Sequence, residues 1–150
     1  VRGSSRPIEG LRVNSSQVTV AIHEGETFRM DWRAPDSDRL RSSKIARDHA
    51  HVGDARLPFW VRTQDPASFF VVAMDEAFVK QTWESAFGQA GDFELKTAIG
   101  VQDLVISRIG LLGRKELSEG GIGGRLYAES LGTALAVHLL RQYSTRQEHR

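Results

Sequence analysis

Five histidines, no cysteine and one Gly-rich cluster bound the chemistry open to this chain. His49 and His51, one residue apart, would put two imidazoles on the same side of a strand, with Asp54 three residues further on. Two imidazoles do not make a metal site, because a catalytic ion takes at least three protein ligands. No Glu follows the pair at a suitable spacing, and His23 is the only remote candidate in the first half. The pair therefore reads as polar residues in an exposed loop beside a Gly53-Asp54 turn, and no metal or other cofactor is assigned. Nucleophilic catalysis has no footing either: there is no GxSxG elbow, no HExxH and no thiol, so no enzyme is expected. The GGIGG cluster at 120–124 lacks the Lys-Ser/Thr of a phosphate loop and reads as a hinge between helices. His138 sits between apolar positions of a helix, as a hydrogen-bonded core or interface residue would. Aromatic side chains offer the best ligand chemistry. Phe28, Trp32, Phe59 and Trp60 fall on predicted strands and suit an apolar or planar effector. Phe28 and Phe59 read as ordinary core ahead of pocket lining, while the two tryptophans are harder to bury fully and are the better candidates.

The elements that must position these residues divide the chain in two. Val18, Val20 and Ile22 alternate with Thr19, Ala21 and His23; Phe28, Met30 and Trp32 alternate with Arg29, Asp31 and Arg33. Both runs have the period of two of a half-buried strand, and Glu24-Gly25 between them predicts a tight hairpin. Further strands are predicted at 57–62 and 68–74, the latter apolar on both faces and so central or covered. Between 34 and 56 the pattern weakens, with one short strand near 44–49. From Asp75 onward helices take over. Asp75 is placed to cap a helix carrying Phe78, Val79, Thr82, Trp83, Ala86 and Phe87 on one face, which Gly88 ends. A second helix starts near Asp103 with a core stripe of Val105, Ile106, Ile109, Leu112 and Leu117. Gly110 and Gly113 weaken it, unless they admit a close neighbour.

The last helix spans about 125–143. Tyr127, Ala128, Leu131, Leu135 and Leu139 form one stripe, and Leu126, Val137 and Leu140 form a patch on the far side. A helix apolar on two sides must be covered on two sides: either the second helix and the Asp75 helix cover everything, or a partner does, and a partner is expected. Bulk properties are those of a soluble globular protein rather than a nucleic-acid module. Hydrophobic residues make up 40% and charged residues 26% of the chain, as in globular proteins, and twenty cations against nineteen anions leave a net charge of +1. No apolar run is long enough for a membrane span and no leader pattern opens the chain, so the cytoplasm is expected.

The run GGIGGRLYAESLGTALAVHLLRQYS resembles the segment of AraC-type transcription regulators that lies just ahead of their DNA-reading helix-turn-helix pair. Residues 69–78, FFVVAMDEAF, are similar to the family's last strand running into its first helix. Gly53-Asp54 with Leu57-Pro58 resembles a late barrel turn, and Asp103-Leu104 the start of the next helix. The likeness covers about residues 50–144. It implies an α+β fold: a short cupin-like antiparallel β-barrel or sheet over 1–74, about three helices over 75–144, and a tail or linker at 145–150. It also implies a small-molecule effector in or near the barrel, which Phe28, Trp32, Phe59 and Trp60 would line. Subunits of the family pair through their helices, so a homodimer is expected, with Leu126, Leu131, Leu135, Val137, Leu139 and Leu140 at its interface. DNA would be reached only through a C-terminal domain that residues 145–150 cannot supply. Two other readings stay open: a small cupin-type metal-dependent enzyme using His49 and His51, and a protein that pairs with full-length regulators and blocks them.

Overall fold

The computed structural model describes residues 2–5, 8–13, 17–53, 59–63, 65–88, 93–121 and 124–146. Strands β1 (Arg2–Ser5), β3 (Gln17–His23), β6 (Ala50–Gly53), β8 (Ala67–Asp75) and β10 (Ala98–Val101) form one antiparallel sheet in the order β1-β8-β3-β6-β10. A second sheet holds β2 (Ile8–Val13), β4 (Phe28–Arg33), β5 (Arg41–Ile45) and β7 (Phe59–Thr63) in the order β2-β7-β4-β5. A small pair joins β9 (Phe93–Leu95) to β11 (Ser144–Arg146). Three helices, α1 (Glu76–Phe87), α2 (Leu104–Ser118) and α3 (Gly124–Tyr143), complete the α+β architecture. None of them is long and apolar enough to cross a membrane.

The pairings are nested: β1 with β8, β2 with β7, β3 with β6 and β4 with β5. This is one long antiparallel ribbon rolled so that its strands fall into two sheets, which do not close into a barrel. The rolling explains why Glu24-Gly25 is not the hairpin its composition suggests. Both edges of β3 are already taken, by β8 and β6, so the chain leaves for the other sheet at this turn. The β-part is also longer at its start than the alternation reveals, because β1 and β2 precede β3. Two strands, β9 and β10, lie within the region expected to be wholly helical, and β11 lies in the expected tail.

Strand β8 is central, between β1 and β3, as its two apolar faces require. Val18, Val20 and Ile22 on β3, with Phe70 and Met74 on β8, face the helices. There they form a core with Val79, Trp83, Ile106, Leu135, Leu139 and Leu140. The opposite faces enclose a second core between the sheets, made by Phe28, Met30, Ile45, Val61 and Ala67. Asp75 precedes α1 without a side-chain cap, since its carboxylate accepts from Gln17 Nε2 instead (2.9 Å). Gly88 ends α1 in the left-handed conformation (φ 60°), its N–H bonded to the Glu84 carbonyl.

Helix α2 faces the sheet differently from the expected stripe. Ile106 and Gly110 are buried and Ile109 half-buried, while Val105, Leu112 and Leu117 are exposed. The glycines are the reason. A Cβ on Gly110 would lie 2.4 Å from Ile22 Cδ1, and one on Gly113 would lie 3.3 Å from Phe70 Cζ. The missing side chains let α2 lie close on β3 and β8, which turns its apolar residues outward. Gly132 of α3 has open space around the same position. Ala should therefore act with opposite sign at these two sites. Gly132→Ala is expected to gain up to about 1 kcal/mol from helix propensity. Gly110→Ala should lose about 1–2 kcal/mol, because overpacking against a fully buried Ile22 outweighs that gain. Urea midpoints of the two variants check the pair of signs.

Candidate ligand cleft

The antiparallel pair α2–α3 is closed at both ends but not along its length. At one end Asp103, the N-cap of α2, bridges the start of α2 to the end of α3. Its Oδ1 accepts the N–H groups of Val105 (3.0 Å) and Ile106 (3.1 Å). Its Oδ2 accepts from Tyr143 Oη–H (2.6 Å) and from His138 Nε2 (2.8 Å). Burial works against the Asp103 carboxylate, but the bonds from Tyr143, His138 and the Ile106 N–H outweigh it and hold its pKa below the ordinary value. The same burial, together with the neighbouring carboxylate, raises the pKa of the Tyr143 phenol. His138, read from sequence as a hydrogen-bonded core or interface residue, thus belongs to a polar lock. At the other end the helices are joined through Gly120, Gly121 and Gly124, all at positive φ (74°, 74° and 68°), a conformation natural only to glycine.

Between lock and hinge lies a cleft of about 680 Å³. Phe70 and Val72 of β8 form its floor, Ile109 and Gly113 one wall, and Leu131 and Leu135 the other. Polar groups are confined to the mouth, where Glu116 and Arg125 stand beside the hinge glycines. The volume and the apolar lining are those of a small-molecule site. Gly113 and Gly132, both without side chains at the lining, help keep the space open. No single residue of this site has a chemical signature in the sequence; the glycine spacing on α2 and α3 is the one signal that marks it.

The aromatic quartet expected to line the interior is not brought together. Phe28 lies between the sheets, edge-on to His23 (4.8 Å between centroids) and to Phe69 (6.2 Å), as part of the core. Trp32 is half-buried on the same face of β4 and donates from Nε1 to Ser43 Oγ (2.9 Å). Trp60 lies on the opposite, outward face of the second sheet, because its register partner on β4 is Arg33 and that of Trp32 is Val61. The side chain of Phe59 lies outside the described residues, as do Asp54, Leu57 and Pro58.

The histidines also separate. His23 is buried, with Nδ1 3.1 Å from the Ser68 carbonyl and Nε2 2.6 Å from that of Glu26, and so ties the turn after β3. His49 sits at the rim, its Nδ1 accepting from the Ala46 N–H (3.1 Å) and its Nε2 2.9 Å from the Gln102 amide. His51 points between the sheets toward Phe69 (5.6 Å) and accepts the Gly100 N–H at Nδ1 (3.0 Å). The neutral tautomer this requires leaves a proton on Nε2, which is buried and has no partner among the described residues. Burial, then the charges of His23 and His49, lower the pKa of His51 to about 4. Among the described residues no three His, Asp or Glu side chains are grouped to hold a metal ion.

The expected interface residues divide as well. Leu135, Leu139 and Leu140 belong to the core of the single chain, where α3 packs against α1 and α2; of the far-side patch only Leu140 is fully covered. Leu131 and Val137 are half-buried, and Leu126 is 77% exposed. Unpartnered apolar surface does exist, but mainly on α2. Leu104, Val105, Leu111, Leu112 and Leu117, with Leu126 of α3, are six of the seven exposed large apolar side chains among the described residues. No family model, no curated protein and no solved structure matches this chain.

Proposed function

We propose that the chain is the ligand-sensing and self-association half of a transcription regulator of the AraC type, acting in the cytoplasm on DNA through a separate helix-turn-helix domain. The observation that carries this reading is the apolar cleft of about 680 Å³ whose two walls are the helices bearing the exposed leucines. A molecule entering the cleft must press on α2 and α3 together. With one end of the pair fixed by Asp103 and the other hinged on glycines, the free response is a change in the tilt of α2. That tilt moves Leu111, Leu112 and Leu117, the surface on which a second copy of the chain would sit. Effector affinity and pairing are then linked, as coupling between two sites requires. The β-part supports a cupin-like relationship: nested pairing of eight strands into the orders 1-8-3-6 and 2-7-4-5 is a double-sheet jelly-roll arrangement, to which β10 adds one edge strand.

The test uses N-phenyl-1-naphthylamine, a neutral apolar fluorophore, with sedimentation across a concentration series. The chain is expected to brighten the probe at one equivalent and to sediment as a dimer into the low micromolar range. Gly132→Phe, which fills the cleft from an open helical position, should weaken probe binding at least about tenfold without lowering stability. Equal binding by Gly132→Phe would remove the cleft from the reading, and a strict monomer would remove self-association.

A further inference from the structure

Among the described residues the helices pack on the first sheet and on β9 and β11, and none packs extensively on the outer face of the second sheet. Register gathers onto that face residues that are scattered in the chain. Arg29 stands opposite Lys44, Asp31 opposite Ser42 and Arg62, and Arg33 opposite Trp60. The Arg33 guanidinium carbon lies 4.5 Å from the centroid of the Trp60 ring, and that of Arg62 lies 5.7 Å away. Arg62 also donates to Asp31 (2.8 Å). Among the described residues, four cations thus share this face with a single carboxylate, and Arg29 and Lys44 are exposed on it, Arg29 within coulombic reach of Asp31. Trp60 is on β7 and Arg33 on β4, the two central strands of a four-stranded sheet.

We propose that this face binds single-stranded nucleic acid, with phosphates on Arg29, Arg33 and Lys44 and a base stacked on the Trp60–arginine plane. Guanidinium groups held flat against an indole keep their N–H edges free for phosphate oxygens, and their planes accept a base. An open four-stranded sheet with an aromatic on a central strand can meet the face of a base only when that base is splayed out, as in a single strand. An acidic protein segment would use the charges and leave the half-buried Trp60 without a role. This inference concerns a different surface from the cleft and stands or falls apart from it.

The experiment is anisotropy of a labelled oligo(dT) of about 12 nucleotides, with Trp fluorescence followed in parallel. Three phosphate contacts predict that affinity falls about twentyfold between about 50 and about 200 mM NaCl. Trp60→Leu should weaken binding at least about fivefold and abolish the fluorescence quench. Arg29→Gln with Lys44→Gln, both at exposed positions, should cut the affinity about tenfold and flatten the salt dependence, with an unchanged unfolding midpoint. Absence of binding at the lower salt overturns the proposal. Equal or tighter binding of a duplex of the same length also overturns it. Poly-glutamate binding as tightly as the oligonucleotide would reassign the face to acidic proteins.

Discussion

Asp103→Ala is expected to remove about 4 kcal/mol of folding stability, the sum of a lost helix cap and two orphaned half-buried donors. The cap supplies about 1 kcal/mol, and the groups stranded on Tyr143 and His138 cost about 1–3 kcal/mol each. Against a total of about 5–15 kcal/mol for an ordinary domain, that is a large share. Asp103→Asn keeps the acceptor for Val105 and Ile106 and should lose about half as much. The urea midpoint at constant slope measures both. A loss below about 1 kcal/mol for the Ala variant would show that the lock does not hold α2 to α3. The same contacts predict behaviour at both pH extremes. The Asp103 pKa is depressed in the folded state, so its contribution is present above its unfolded value of 3.8 and fades as pH falls below it. The Tyr143 pKa is raised, so its contribution is complete below 10.0 and fades as pH rises beyond that value.

The second large effect is acid lability centred on His51. Its folded pKa of about 4 lies below the ordinary 6.5. Between those values the unfolded chain binds a proton that the folded chain refuses, so stability falls as pH falls. The full span corresponds to about 3 kcal/mol. His51→Gln keeps an acceptor for the Gly100 N–H and cannot titrate, and it should lose most of the stability gradient between pH 6.5 and about 4. Thermal unfolding of both proteins across that window decides it. Parallel curves would mean that His51 is charged inside the fold and that its Nε2 has a partner. The two predictions are separable, because the Asp103 effect begins where the His51 effect ends.

For the proposed sensor, these two sites divide the labour. His51 tunes the β-part, and Asp103 fixes the end of the helix pair about which the cleft can open. A variant that loosens the lock should therefore weaken the link between probe binding and pairing, even where each is retained.

Much of the fold was legible in the residues. Alternation along 18–22 and 28–32 marks β3 and β4, the two apolar faces of 68–74 mark a central β8, and Asp103 and Gly88 mark helix ends. Each of these is a local signal, in which the side-chain period or the cap states the backbone geometry directly. The strands of 2–13 and 93–101 carried no such signal, because edge and irregular strands need no alternation. The site was far less legible. Trp32 and Trp60 share residue type and predicted strand, yet the register of β4 on β7 sends them to opposite faces. Leu140 and Leu112 are both leucines on amphipathic helices. One is core and the other exposed, because two glycines bring α2 onto Ile22 and Phe70 and α1 covers α3.

By itself the sequence determined β3, β4 and β8, the three helices that follow them and the absence of thiol chemistry, since these depend on nearest neighbours and on composition. Only the tertiary structure decided which charges meet. Along the chain the two signs are mixed and nearly cancel, yet the pleat puts Arg29, Arg33, Lys44 and Arg62 on one face. Folding α3 back along α2 brings Asp103 to His138 and Tyr143, 35 and 40 residues away. Sequence patterns reach about one helical turn or one strand repeat; contacts at these separations are set by how the sheets close and what then fits between them.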